Sequence, residues 1–329
     1  MNLLRKLRTE LNYAFYRDVQ YRRKALRHLV KFYRPDAPVV GNISERELIC
    51  MADGKLLHGG LADRLRSFCT FFAFARQHGY RFGIYFRKPF RLEDYLVPNL
   101  YDWTVADSHL SFNSSEAAPI YLGTTSQEGE RERLFQQDIT ERFLRRYGKM
   151  QNHIYSAYYF AEDNIAQDFR TLFKPSPRLE EALDGELESL GKEYVSVSTR
   201  FLELLGDFHE PVPCLTLPPA GQEALIERCL QQLCAIHERH DNIKMLVTSD
   251  SQRFVDAAAR LPFVHVVKGR IAHVDTADSS DHMKTFLDFL LISRAKAAYQ
   301  LQTPPMYGGN FSLRAAQIGD TPFERLQFC

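Results

Sequence analysis

No stretch of this chain stays apolar for the roughly 20 residues that a bilayer-crossing helix requires, which excludes a helical membrane span. Charge of one sign is not in excess either. Lys and Arg number 42 against 41 Asp and Glu, a balance that gives no global pull towards nucleic acid or membrane. The six cysteines, Cys50, Cys69, Cys214, Cys229, Cys234 and Cys329, form no C-x-x-C pair and show no metal-ligand spacing. Several sit in apolar surroundings, where a thiol behaves as a small hydrophobe, and this usage fits a reducing, intracellular compartment. The opening Met-Asn-Leu-Leu-Arg-Lys-Leu-Arg carries charges with no apolar segment behind it, unlike a secretory signal. The expectation is a cytoplasmic protein, soluble or peripheral to the inner membrane face.

What is present is enough for two packed domains: 329 residues, 45% of them hydrophobic. Residues 1–35 form a separate block, in which ten Lys and Arg from Arg5 to Arg34 face only Glu10 and Asp18. Leu3, Leu4, Leu7, Leu11, Phe15, Leu26 and Leu29 lie between them, mostly at helical spacing. Such a basic amphipathic helix either lies on an anionic membrane or packs its apolar stripe on the protein body and solvates its charges. Pro35 and Pro38 close it. Nucleic-acid binding is disfavoured, because basic residues cluster only in the first 34 positions.

Residues 36–175 read as a first domain. Glu47 to Ala52 is a strand, and Leu61, Leu65, Phe68, Phe72 and Ala75 follow at helical spacing. Between them His58-Gly59-Gly60 makes a strand-to-helix junction where backbone N–H groups can approach a ligand, or simply a tight turn. Arg81 to Phe86 reads as the second strand, Phe90 to Pro98 as a short helix and Trp103 to Ala106 as a third strand. Ser111 to Glu132 reads as an exposed loop. The aromatic run Tyr155 to Phe160 reads as a strand, and Asp163 to Phe173 as a helix. Pro175 and Pro177 mark a hinge into a second domain, residues 176–329. There a helix (Arg178 to Leu190) precedes the strands Tyr194–Ser198, Ile243–Thr248, Phe263–Val267 and Lys296–Gln300. Helices from Pro219, Ser251 and Asp281 alternate with these strands, and a last one follows Gly308-Gly309. Strands alternating with helices imply parallel sheets, hence an α/β fold of two Rossmann-like domains facing a cleft.

Ligands of open α/β sheets bind beyond the carboxyl ends of the strands, and polar groups recur there in the second domain. Arg200 follows the first of these strands, and its guanidinium either grips a phosphate or pairs with Glu203. Asp250 ends the run Met245 to Thr248. Ser312 sits after a Gly-Gly loop at a helix start, which makes an anion site of N–H groups and a hydroxyl. Asp288 is one carboxylate in an apolar helical run and must find donors. A guanine edge with its N1–H and N2–H is one partner, and Arg294 is the intrachain alternative.

The ordered set Gly59-Gly60-Leu61-x-Asp63-Arg64-Leu65, Val-Ser-Val-Ser198-x-Arg200, Thr248-Ser249-Asp250, Leu287-Asp288-x-x-x-x-Ser293-x-Ala295 and Phe311-Ser312 resembles the GDP-fucose-dependent fucosyltransferases, across residues 47 to 318. This group includes the core-fucosylating, nodulation-factor and protein O-fucosylating enzymes. The resemblance implies a GT-B architecture and inverting transfer without metal or other cofactor. A GDP-sugar, GDP-fucose above all, would be the donor and a glycan hydroxyl the acceptor. It further implies that Arg200 binds the diphosphate, Asp288 reads the guanine and Ser312 contacts phosphate, with Asp250 near the nucleotide. His58-Gly59-Gly60 would face the donor across the cleft. Where the family carries His-x-Arg, this chain has Ser198-Thr199-Arg200. The usual closing helix after Ser312 is expected to be short.

An inverting transfer needs a base opposite the leaving group. Glu203, Asp207 and His58 are candidates, while Glu203 and Asp207 serve equally to orient Arg200 or cap a helix. The alternative is a catalytically silent GT-B-like protein that binds a nucleotide or sugar, or scaffolds envelope polysaccharide assembly. A basic surface helix suits work on lipid-linked intermediates, which points to a bacterial polysaccharide or lipopolysaccharide precursor as acceptor.

Overall fold

A computed structural model describes residues 23–41, 43–56, 59–122, 130–156, 164–208, 215–269 and 279–328. The chain divides into two compact units, residues 1–92 with 98–174 and residues 93–97 with 175–329.

In the first unit, helix α1 (residues 23–30) is followed by β1 (Glu47–Ala52), α2 (Leu61–His78) and β2 (Arg81–Phe86). After β3 (Leu96–Pro98), a short strand whose first two residues fall in the second unit, come β4 (Ala117–Tyr121), α3 (Glu130–Tyr147), β5 (Gln151–Tyr155) and α4 (Ile165–Leu172). Their sheet has the order β2-β1-β5-β4 with every neighbour parallel. A strand in such a sheet is covered on both faces, and every residue of β1 is buried. The described part of the basic N-terminal segment packs inward. Leu29 and Tyr33 join Ile49, Met51, Val105, Ala117 and Tyr155 in one core cluster, while Arg23, Lys24, Arg27, Lys31 and Arg34 stay exposed. Residues 1–22 lie outside the described residues.

Several local expectations are corrected. Phe90 to Pro98 is not a helix; a single 3-10 turn at Leu92–Asp94 gives way to β3, as Pro98 biases the residue before it to extended backbone. Trp103 to Ala106 forms no strand, only an isolated bridge from Thr104 to Ile84. Trp103 is instead fully buried, with Nε1 donating to the Leu172 carbonyl at 2.7 Å. The stretch read as a loop, Ser111 to Glu132, contains β4 at the sheet edge, where its Pro119 is tolerated. The strand expected at Tyr155 to Phe160 lies earlier, at Gln151–Tyr155, and residues 157–160 lie outside the described residues. Its polar start is buried because hydrogen bonds satisfy it. Gln151 Nε2 donates to Glu47 Oε2 (3.0 Å) and to the His109 carbonyl (2.7 Å), and Asn152 Nδ2 donates to the Lys149 carbonyl (2.8 Å).

The second unit begins after β6 (Phe173–Pro175) with α5 (Pro177–Leu190), whose start is fixed by Pro177 in its first turn and by the Ser176 hydroxyl accepting from Leu179 N. Then follow β7 (Tyr194–Ser198), α6 (Pro219–Arg239), β8 (Lys244–Thr248), α7 (Gln252–Ala258), β9 (Val264–His265), α8 (Ser279–Ser293), β10 (Ala297–Gln302), α9 (Phe311–Gly319) and β11 (Phe323–Gln327). The sheet order is β11-β10-β7-β8-β9, again all parallel. Where a short closing helix was expected, α9 is followed by β11, paired with β10 from Ala298–Phe323 to Gln302–Gln327. Helices α8 and α9 approach so closely that a Cβ on Gly319 would sit 1.8 Å from the Ser293 carbonyl oxygen. Only glycine fits there. Both units thus have the Rossmann-like layout that alternation of strand and helix implies.

Among the described cysteines, Cys50, Cys69 and Cys229 are buried free thiols. Burial pushes the Cys229 thiol up to about 12, so it is inert at neutral pH.

Candidate functional site

In the second unit β7 is buried along its whole length, and the chain must turn sharply where it emerges. Asp250, at the tip of neighbouring β8, makes that turn. Its Oδ1 accepts from Phe201 N at 2.8 Å and its Oδ2 from Leu202 N at 2.7 Å. The same Oδ2 lies 3.4 Å from Arg200 Nε, and Leu202 is held at φ 55°. Burial raises the Asp250 pKa, opposed by the Arg200 charge and then by the two backbone N–H groups. Thus Asp250 spends its lone pairs on the loop and on Arg200; it orients the arginine from behind. Arg200 itself is part-exposed, with its guanidinium 5.0 Å from the Phe208 ring centre, a cation–π placement that costs it little hydration.

The Gly-Gly loop closes on the same arginine. Tyr307 N donates to the Arg200 carbonyl at 3.2 Å, and a Cβ on Gly309 would sit 3.5 Å from Arg200 Cγ. Gln300 Nε2 donates to the Gly309 carbonyl at 2.8 Å, and Arg325 Nη2 to Asn310 Oδ1 at 3.0 Å. With its side chain so engaged, Asn310 makes no side-chain cap to α9. Ser312, in the first turn of α9, is 2% exposed, and its Oγ has no hydrogen-bond partner among the described residues. A buried hydroxyl left without a partner is costly. Here it sits beside N–H groups that a helix start offers to anions.

Helix α8 reaches this region through Phe289, whose ring lies 5.3 Å from that of Phe311. Asp288 is 9% exposed. Lys284 Nζ donates to its Oδ2 at 2.6 Å, while its Oδ1 has no partner among the described residues. Burial raises the Asp288 pKa; the Lys284 charge and hydrogen bond oppose this, Glu186 of α5 adds to it, and His265 of β9 opposes it. The intrachain partner is therefore Lys284. Arg294 lies 3.8 Å from Glu180 instead, since a spacing of four residues puts two side chains on one helix face and a spacing of six does not.

The remaining predicted residues separate. Ser198 donates its hydroxyl to the Tyr299 carbonyl at 3.1 Å and is turned into the sheet. Asp207 Oδ2 accepts from Ser251 Oγ and Arg253 N, both at 2.9 Å, which makes it a cap for α7. Glu203 lies half-buried on the turn after Arg200. In the first unit, Gly59 and Gly60 precede α2, and the fully buried Arg64 donates from Nε to the Gly59 carbonyl at 2.7 Å. Asp63 pairs with Arg66 at 3.3 Å. His58 lies outside the described residues.

Sequence reasoning missed Lys284, Gln300 and Arg325, although Lys284 stood one helical turn before Asp288. It also missed a polar chain at the carboxyl end of the first sheet. Asp53 accepts from Lys55 N at 3.0 Å, from Lys55 Nζ and from Tyr155 OH at 3.0 Å. Tyr33 OH reaches Tyr155 OH at 3.4 Å and His153 Nδ1 at 2.7 Å. Burial drives the His153 pKa down to about 3, against the pull of Asp53.

No protein-family model and no curated protein matches the sequence. Solved structures do. A GDP complex of an Arabidopsis thaliana FUT1 variant aligns with a TM-score of 0.54 at 14% identity, over 98% of this chain and 79% of that one. NodZ alpha-1,6-fucosyltransferase, from Bradyrhizobium, soaked with GDP-fucose gives 0.51 at 15% identity, over 84% and 93%. POFUT1 in complex with GDP gives 0.50 at 14% identity, over 87% and 99%. The chain shares their GT-B fold of two Rossmann-like domains.

Proposed function

We propose that this protein is an inverting, metal-independent glycosyltransferase that moves fucose from GDP-fucose to a hydroxyl of a glycan acceptor. The second unit takes the donor and the first the acceptor. One observation carries the reading: Arg200, fixed by Asp250, meets a glycine loop that leads to a helix start with a buried Ser312 hydroxyl that has no partner among the described residues. That is the equipment of a diphosphate site, and the neighbouring solved structures hold GDP or GDP-fucose on the same fold.

Departure of GDP builds negative charge on the β-phosphate while the sugar acquires oxocarbenium character. Arg200 and the first N–H groups of α9 stabilise that charge without reorganising, the kind of electrostatic contribution worth about a hundredfold to a thousandfold per donor. Ser312 donates to a phosphate oxygen, and Asp288 accepts from the guanine edge. Of the three base candidates, Asp207 already serves α7, which leaves Glu203 and His58 as the candidates for the base. Turnover of GDP-fucose by the purified protein without added metal, measured as GDP release, tests the reading. Loss of release in Arg200→Ala supports it, and full release in that variant would refute the assignment.

One observation favours a second reading, a GT-B-like protein that binds a nucleotide without turnover. Ser198 stands where the resembled family carries a histidine, and its hydroxyl is committed to the Tyr299 carbonyl. GDP binding with no transfer to any glycan acceptor would select it.

A peripheral contact with an anionic membrane through residues 1–34 is part of the same proposal. Val30 and Phe32 are 54% and 39% exposed among the outward cations of α1 and the turn after it. Co-sedimentation with anionic but not neutral vesicles is the expected result. Among the described residues no helix is long and apolar enough to cross a membrane.

A further inference from the structure

Asp288 is a carboxylate with two unlike oxygens. Oδ2 is taken by Lys284 Nζ at 2.6 Å, and Oδ1 is buried with no partner among the described residues. Lys284 is itself 7% exposed, so the ion pair is shielded from water on both sides. A buried cation is as expensive as a buried anion, and α8 holds one of each, Lys284 and Asp288, one turn apart. Packing alone does not explain the arrangement, since an apolar residue at 284 would continue the run Phe286 to Leu291 at lower cost. Glu186 of α5 and His265 of β9 face the pair, themselves joined by an ion pair between His265 Nε2 and Glu186 Oε2.

We infer that Lys284 is a positioning residue for nucleobase recognition: by holding Oδ2 it keeps Asp288 ionised and leaves Oδ1 as the acceptor for an N–H of the base. A carboxylate so fixed favours a base edge that presents donors, as guanine does at N1 and N2. It disfavours adenine, whose N1 on the same edge is an acceptor with no proton to give. This rests on the donor reading above and adds to it the residue that sets selectivity.

The sign of the pH effect follows from burial. With Lys284 gone, desolvation acts unopposed by its largest counterweight, and Glu186 acts in the same direction as burial. Asp288 then holds its proton to higher pH and ceases to be an ionised acceptor. GDP affinity in Lys284→Met is therefore expected to fall about tenfold to a hundredfold at pH 7, and by less as pH rises. The wild type should change little over that range. Lys284→Arg restores a cation and should recover most of the affinity at pH 7.

The test is calorimetry of the full chain with GDP and with ADP, from pH 6 to 9, for the wild type and both variants. Preference for GDP over ADP in the wild type, with the pH-dependent loss in Lys284→Met and rescue in Lys284→Arg, is the expected result. Two outcomes would overturn the inference while the donor reading stands: GDP affinity in Lys284→Met equal to wild type, or a loss equal at every pH that arginine does not rescue. Wild-type protein that binds no GDP would bring down the donor reading itself. Should Lys284→Met not accumulate in folded form, Lys284→Gln takes its place with the same expectations.

Discussion

The two units end their sheets in opposite ways. In the first, the polar groups beyond the strands satisfy one another. Asp53 takes hydrogen bonds from Lys55 and Tyr155, and Tyr33 links Tyr155 to His153. In the second, the Ser312 hydroxyl and one oxygen of Asp288 are buried with nothing to bond among the described residues. The two arginines differ likewise. Arg64 is sealed at 2% exposure onto a backbone carbonyl, while Arg200 keeps 30% of its side chain exposed. A closed network stabilises a fold; an open one carries an energetic debt that a ligand can relieve. On the proposed reading, the first set stabilises the fold and the second meets the donor.

The comparison can be broken most decisively at Arg200. Its replacement by Ala should lower kcat for GDP-fucose turnover by about two to three orders of magnitude with little change in Tm. An equal fall in both would make it a structural arginine like Arg64. Asp250→Asn comes next, because an amide oxygen can replace only one of the two acceptors that Phe201 N and Leu202 N use. Turnover should drop at least tenfold, and urea titration should show about 1–3 kcal/mol of lost stability.

In the first unit the expected effects appear in stability alone. His153 has its pKa depressed to about 3 in the fold, against about 6.5 unfolded. Its contribution is complete above pH 6.5 and is lost as pH falls towards 3, by an amount on the order of a few kcal/mol. Urea midpoints at pH 7 and pH 4 should therefore differ less in His153→Gln than in the wild type. Tyr155→Phe removes one donor to Asp53 and should cost about 1–2 kcal/mol while leaving GDP affinity unchanged. The smallest effect sharpens the contrast most. Ser312→Ala should weaken GDP binding about twofold to tenfold and leave Tm unchanged or slightly raised, since an unsatisfied hydroxyl disappears.

Legibility followed the physical nature of each signal. β1, β2 and β7 were readable to the residue, because each carries a compact run of apolar or small residues bounded by polar or turn residues. β4 was not, since an edge strand with a proline carries little pattern. β5 was not either, since its buried Gln151 is satisfied by Glu47 and His109, which lie 104 and 42 residues away in sequence. Arg200, Ser312 and Asp288 were legible as odd polar residues at element ends or in an apolar run. Their partners were not, and partners decide what each residue does: Asp207 went to a helix cap, Ser198 to a carbonyl and Asp250 to the turn behind Arg200.

By itself, then, the sequence determined the alternation of strand and helix, the tips of β7 and β8 and the order of the polar groups that follow them. These follow from local periodicity and turn chemistry, which act over a few residues. Tertiary structure decided which of those groups are spent and which are left open. A hydrogen bond has a reach of about 3 Å, and only the folded chain brings Asp250 to Phe201, or leaves the Ser312 hydroxyl without a partner among the described residues.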